Sequence, residues 1–481
     1  MSKLRAPFFL ITAVLLPILH CLNAAGQDLY VRVKIDQAAI SIEGKSFRPK
    51  GRNFYFLQES AGMENPAYRV SNILLTGEAG RPVGYRQFAP GEYLADADFN
   101  GWSYKIKPVA SNRSAAHISW IGAEQGILMP DDLLPKFAGD KGAVPAKIAF
   151  ELPEGWKIAS VDKREGDTFE TADTEKAIFL IGKNWREIKT ASGTDVIVTG
   201  DWLFKDEQAA KMTEEIFAEY KGLFGGAPAE RTLILISKFP GQEKFGVWEA
   251  ETRGRTVTIL SADMPFEAQS LQLLHEQLRH ELFHLWIPNG VNLSGSYDWF
   301  YEGFALYEAL RTGVKTNRIR FEDFLGTLAS AYNIDNMQGR RVSLIEASAN
   351  RWMGGNTQTY ARGMLVAFLC DVALIRGSKG KNSVESILRE IYAGHLFSAP
   401  RQDGNAAVLS GLQNHGLISV IDKYITGTDN IAWKAELEAI GIEALEENTI
   451  VRLKVKEKPT GRQKAFLEKL GYNNWRKLSR N

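Results

Sequence analysis

Residues 280–284 read His-Glu-Leu-Phe-His. On a helix, side chains four apart lie on one face, one turn apart, so two imidazoles at this spacing can grip one metal ion. Glu281 between them sits about 60° around the helix from one histidine, beside the metal but not on it, where it can take a proton from an attacking water. Three of the seven histidines, His275, His280 and His284, fall within ten residues. His275 precedes His280 by five positions, about 140° around the helix, and is read as structural. The next aromatic-rich stretch, Trp299-Phe300-Tyr301-Glu302-Gly303-Phe304-Ala305, places a carboxylate among rings. Burying Glu302 without a partner is costly, which makes it the expected third ligand. Two histidines, one glutamate and an open position form a catalytic zinc geometry.

These residues need rigid elements to hold them. Leu271, Leu274, Leu278, Leu282 and Leu285 repeat at three- and four-residue steps opposite His280 and His284, so one helix face packs in a core while the other meets a cleft. Asp263 is the expected N-cap, Pro265 suits the first turn, and Pro288-Asn289-Gly290 is the expected stop. Upstream, residues 30–35, 147–152 and 177–181 read as half-buried strands between clusters of Gly, Pro, Asn and Asp. Residues 208–224 read as a helix ended by Gly225-Gly226, and 232–237 and 256–260 as strands. From Pro265 to about Leu445 the pattern is helical, and residues 451–481 are rich in Lys and Arg.

With 481 residues, the chain exceeds one ordinary core. Apolar residues at 44% and charged residues at 24% exclude a disordered polymer. A formal net charge of +1 gives no global field toward nucleic acid, and no nucleic-acid partner is expected. Lys3 and Arg5, the apolar run from Phe8 to Leu19, and Asn23-Ala24-Ala25-Gly26 have the layout of a secretory signal peptide. Export to the periplasm or cell envelope of a bacterium is therefore expected. Once the leader is removed, Cys370 is the single remaining cysteine and no intrachain disulfide can form. No later stretch reads as a membrane span.

The segments His280–His284 and Trp299–Leu310 resemble the gluzincin zinc-peptidase signature, closest to the glycyl aminopeptidase family, whose aminopeptidase N relatives share the Glu-Gly-Phe-Ala segment. The resemblance implies His280, His284 and Glu302 as ligands of one zinc ion and Glu281 as general base. Seventeen residues separate His284 from Glu302, against eighteen commonly in the aminopeptidase N-like enzymes. Tyr360-Ala361-Arg362-Gly363 resembles the family's Y-x-[KR]-G helix, which implies Tyr360 as hydrogen-bond donor to the reacting oxyanion. Gly246-Val247-Trp248-Glu249-Ala250 stands where the family carries a substrate-lining strand. That match implies Glu249 as an anchor for a substrate amine, with Arg253 or Arg255 meeting a carboxylate instead. Ala250 replaces the family's His or Asn. The PDZ domain that ends many members is not expected here.

The expected fold is multidomain α+β. A signal peptide (1–25) precedes an N-terminal β-rich, sandwich-like domain (26–201), a thermolysin-like α/β catalytic domain (202–311), a helical part of the catalytic region (312–446) and a basic tail (447–481). The expected activity is zinc-dependent hydrolysis of peptide bonds in a peptide or protein substrate, with an aminopeptidase ahead of an endopeptidase. A catalytically inactive envelope binding protein on the same fold is the alternative from another class.

Overall fold

The computed structural model describes residues 29–473 except 37–38, 61–62, 109–111, 113, 139, 141 and 230. The expected leader and the last residues of the basic segment lie outside the described residues.

The N-terminal half is built on an eight-stranded sheet. Its spatial order is Lys163–Glu165, Thr168–Thr171, Ala146–Glu151, Leu29–Ile35, Ile40–Lys50, Phe99–Ile106, Val70–Thr76 and Pro82–Val83. The alternation seen in sequence is realised: Leu29, Val31, Val33 and Ile35 are buried while the residues between them are exposed. Val33 pairs with Ile42 on one side and Phe150 on the other, so one apolar face is continuous across three strands. Two four-stranded sheets close the sandwich.

The strand Phe179–Gly182 departs from expectation, because all four of its residues are buried. Phe179 and Ile181 join the core of the N-terminal sandwich, whereas Leu180 joins a second core shared with Leu233, Leu235 and Leu260. A strand covered on both faces carries no alternation.

The second half of the chain begins with a five-stranded sheet. Its strands are β1 (Trp185–Lys189), β2 (Thr194–Thr199), β3 (Thr232–Ser237), β4 (Trp248–Arg253) and β5 (Thr256–Ser261), in the order β1-β2-β3-β5-β4. β2, β3 and β5 run parallel, and β4 is an antiparallel edge. This sheet starts upstream of residue 202, where the composition changes, because β1 and β2 look in sequence like more of the β-rich domain. One face of the sheet (Val196, Ile234, Ile236, Val257, Ile259) belongs to the large helical core, and the other (Ile197, Leu233, Leu235, Leu260) packs on the N-terminal domain.

The helices are α1 (Asp206–Phe224), α2 (Glu267–Phe283), α3 (Asp298–Lys315), α4 (Phe321–Asn336) and α5 (Gly363–Gly377), followed by shorter ones. α1 ends as expected on Gly225 in the left-handed region, at φ 83°. α2 begins later than expected, with Phe266 at its N-cap. Asp263 instead pairs with Lys238, so tertiary charge pairing takes the residue that local capping rules favour. Leu274, Leu278, Leu282 and Leu285 are buried as the stripe requires.

One further expectation is corrected. The continuous helical run Gln358–Gly377 is long and apolar enough to cross a bilayer, yet 89% of its most apolar window is buried inside the protein. Its buried apolar residues belong to the large helical core. Cys370 at its middle is buried and burial pushes its thiol up, away from reactivity. Within the basic segment, Ile450–Val455 completes a hairpin with Ile442–Glu447, and the helix Gly461–Lys469 buries Phe466 and Leu467 in the helical core.

Candidate metal centre

His280 lies in the last turn of α2 and His284 immediately follows it. The chain continues past His284 in tight turns, with the backbone N–H groups of His284 and Leu285 donating three residues back. The C-terminal end of a helix carries partial negative charge, which favours a cation there. α3 supplies Glu302 from the facing side. His280 Nε2 lies 3.2 Å from His284 Nε2 and 3.2 Å from Glu302 Oε2, and His284 Nε2 lies 3.4 Å from that oxygen. Ligand atoms about 2.0–2.1 Å from a tetrahedral zinc ion are separated by about 3.3 Å, so this triangle fits the ion without rearrangement. The His284 Nδ1–H donates to the Ile287 carbonyl at 3.1 Å, which fixes the tautomer and leaves Nε2 free as a ligand.

Burial raises the carboxyl pKa of Glu302, but the two histidines and Arg351 outweigh it and hold the group well below its usual range. Burial lowers the His284 pKa, and the Glu302 charge reverses this to a net rise. The His284 ring and the Glu302 carboxylate thus stabilise each other's charged form.

Glu281 is buried on the same helix end. Its Oε2 accepts from the Thr252 hydroxyl at 2.8 Å, so edge strand β4 steers this carboxylate. Tyr360 enters from a π-helical turn, Gln358–Arg362, that leads into α5. Burial and the neighbouring Glu302 push its phenol far above the usual value, and the group stays protonated at neutral pH. Arg362 in the same turn is fully buried; it contacts Asp335 at 3.1 Å and donates to the carbonyls of Tyr424 and Asp429. That anchorage holds the wide turn that carries Tyr360 in place.

Two glycines explain how α3 and α5 meet. A Cβ on Gly303 would lie 2.4 Å from the Gly363 carbonyl carbon, and one on Gly363 would lie 2.6 Å from the Trp299 oxygen. The helices cross backbone to backbone at this point, which brings Glu302 and Tyr360 to one side of the crossing.

The two substrate-binding expectations lie elsewhere. Thr252 of β4 reaches Glu281, so Glu249, an odd number of residues away, belongs to the opposite face of the strand. The Glu249 carboxylate accepts from the backbone N–H groups of Ser114 (3.0 Å) and Ala116 (3.4 Å) in a loop of the N-terminal domain. Arg253, on the same face, contacts Glu251 at 2.5 Å, Asp131 at 3.1 Å and the His117 carbonyl at 3.2 Å. Arg255 is drawn to Asp162 at 3.6 Å. All three side chains join β4 and its continuation to the N-terminal domain. His275 is buried and neutral, its pKa pushed down to about 3 by burial and then by Arg279.

Arg351 went unnoticed in sequence. It opens a short turn, Arg351–Met353, in a loop rich in Asn and Gly. One guanidinium nitrogen lies 3.0 Å from Glu302 Oε1 and 3.0 Å from Asp298 Oδ1, and the other donates to the Tyr360 hydroxyl. With Oε1 occupied, Glu302 presents Oε2 alone to the imidazoles. A lone arginine in a polar loop carries no spacing signal.

No protein-family model and no curated protein matches the chain. Solved structures do. An aminopeptidase N family protein from Idiomarina loihiensis superposes with a TM-score of 0.74 at 14% identity, over 90% of this chain and 82% of that one. An M1 zinc metallopeptidase from Deinococcus radiodurans superposes at 0.53 and 14% identity, over 84% and 94% of the two chains. A mutant of the latter, bound to a Tyr-Ser-Ala substrate, superposes at 0.53 and 15% identity over the same shares. The chain therefore has the α+β fold of the aminopeptidase N-type zinc metallopeptidases, with a His-His-Glu cluster buried at the junction of α2 and α3.

Proposed function

We propose that this protein is a zinc-dependent peptidase. The observation that carries the reading is the convergence of His280, His284 and Glu302, with ligand atoms all within 4.8 Å of one another, beside Glu281 and Tyr360. His280, His284 and Glu302 would hold one zinc ion, whose Lewis acidity would polarise a scissile carbonyl and lower the pKa of water. Glu281, steered by Thr252, accepts the proton of the attacking water and returns it to the leaving amine. Tyr360, protonated at neutral pH, donates to the developing oxyanion. An inactive binding protein has no use for Glu281 and Tyr360 in this arrangement. The peptide-bound neighbour supports a peptide substrate.

The finer assignment is aminopeptidase action, supported by the family name of one fold neighbour and by the match around Glu249. A second reading, an endopeptidase acting on oligopeptides, is favoured by the commitment of Glu249 to backbone donors of the N-terminal domain. Cleavage of a peptide series and its N-acetylated counterparts separates the two. Loss of cleavage on acetylation supports the aminopeptidase; equal rates support the endopeptidase. Metal analysis on the purified protein tests both, since a protein that takes up no zinc and cleaves nothing ends the proposal. We further propose export to a bacterial envelope, on the strength of the leader-like first residues. N-terminal sequencing of the mature protein checks this, and a retained Met1 refutes it.

A further inference from the structure

We propose that Arg351 is the positioning residue that sets the direction of the Tyr360 proton. The inference rests on the peptidase reading of the same site. A guanidinium has five N–H donors and no acceptor. In its contact with Tyr360 the arginine must therefore donate, and the phenol oxygen must accept. The hydroxyl has one proton, which is left to point away from the guanidinium. Tyr360 also lies within interaction range of Glu302, whose Oε2 is one of the three converging ligand atoms. A carbonyl oxygen bound over that triangle meets the phenol proton and not its lone pairs.

The arginine is itself locked. Its first terminal nitrogen is shared between Asp298 and Glu302, each at 3.0 Å. Its planar group lies 4.7 Å from the Trp352 ring centroid and 5.1 Å from that of Tyr360. The neighbours Trp352 and Met353 are 49% and 82% exposed, while the Arg351 side chain turns inward at 15%. A residue that merely tied down the loop would have no need to reach a ligand carboxylate and a catalytic phenol at once. The positive charge also offsets negative charge gathering on the phenol oxygen as its proton is shared with an oxyanion, which makes Tyr360 a stronger donor.

The test is a double-mutant cycle with Tyr360→Phe and Arg351→Met, plus Arg351→Lys, read on a cleaved peptide with zinc content measured for every variant. Tyr360→Phe should lower kcat about 10²–10³-fold. Arg351→Met should lower kcat about 10–10²-fold with KM and zinc content little changed, and the double variant should be no worse than Tyr360→Phe alone. Arg351→Lys should recover part of the loss. Losses that multiply in the double variant overturn the proposal. So does a fall in Arg351→Met explained wholly by lost zinc, which would leave the arginine a support for Glu302 only.

A second readout needs no turnover. In zinc-loaded protein carrying tyrosine labelled with carbon-13 at Cζ, the Tyr360 signal, identified by its absence in Tyr360→Phe, should shift in Arg351→Met and move back toward its original position in Arg351→Lys. An unmoved signal overturns the proposal even if the wild type cleaves peptides. A wild type that cleaves nothing, with the signal still responding, sinks the peptidase reading and leaves the hydrogen bond standing.

Discussion

At the scale of single residues, Glu281, Glu302 and Tyr360 have separable duties, and separate measurements resolve them. Glu281 is held by Thr252, whose hydroxyl donates to Oε2 at 2.8 Å, while His280, His284 and Glu302 hold to one another. Glu281→Gln should keep zinc bound while lowering kcat by about 10²–10⁴-fold, the usual worth of a general base. Full activity in that variant, measured at saturating peptide, would discard the assignment. Glu302→Ala should show the reverse signature. It removes one of three ligands and leaves Asp298 as the carboxylate partner of Arg351, so zinc content after dialysis should fall together with activity.

At the scale of elements, the site depends on α3 and α5 crossing with no side chain between them. Gly363→Ala places a methyl group within 2.6 Å of the Trp299 carbonyl oxygen, and backbone cannot yield as a flexible side chain would. Overpacking of this kind costs about 1–3 kcal/mol, and the same displacement would carry Tyr360 away from Glu302. Thermal denaturation and kcat should therefore fall together. A variant with wild-type midpoint and wild-type kcat would show that the crossing has slack. Arg362 makes a second demand on the same turn. Arg362→Met leaves the buried Asp335 with only Arg341, at 3.6 Å, as a cationic partner and should destabilise by about 1–3 kcal/mol. Denaturant titration measures it, and a change under about 1 kcal/mol would refute the anchoring role.

At the scale of the whole molecule, the N-terminal domain is part of the catalytic sheet's packing. Ile197, Leu233, Leu235 and Leu260 face it, and the residues first read as substrate contacts form a polar latch alongside. His117 pairs there with Glu251. Burial lowers the His117 pKa, but the Glu251 bond and charge more than reverse this, so the folded value lies above the usual 6.5. A raised folded pKa stabilises fully below 6.5 and loses that contribution as pH rises through the folded value. Burial raises the Glu251 pKa, while Arg253 and His117 take it down to about 2, so its contribution is present above the usual 4.5 and is lost as pH falls toward 2. The latch is thus strongest between about pH 4.5 and about pH 6.5. The melting-temperature gap between wild type and His117→Gln should be widest there and should narrow as pH rises above 6.5 through the raised folded value. A gap that stays constant across this range would remove the charge pair from the account.

Much of the site was legible in the sequence because its chemistry is local. His280 and His284 share a face through helical geometry alone, the leucine stripe marks the opposite face, and both held in the folded chain. The motifs around Glu302 and Tyr360 named two more participants, and their glycines are the contact points of the two helices. Other features depend on groups distant in sequence. Which face Glu249 takes is set by the register of β4 against β5 and by a loop more than a hundred residues upstream. Asp263 was taken from its capping role by Lys238, and β1 and β2 joined the catalytic sheet despite resembling the domain before them. Arg351 acquires meaning only when a loop folds over Glu302 and Tyr360. Spacing along one helix fixes relative direction within a turn, so the sequence by itself determined the face that carries His280 and His284 and the place of Glu281 beside it. Pairing between strands and loops is fixed by burial and charge across the whole chain, so tertiary structure alone decided what surrounds that face.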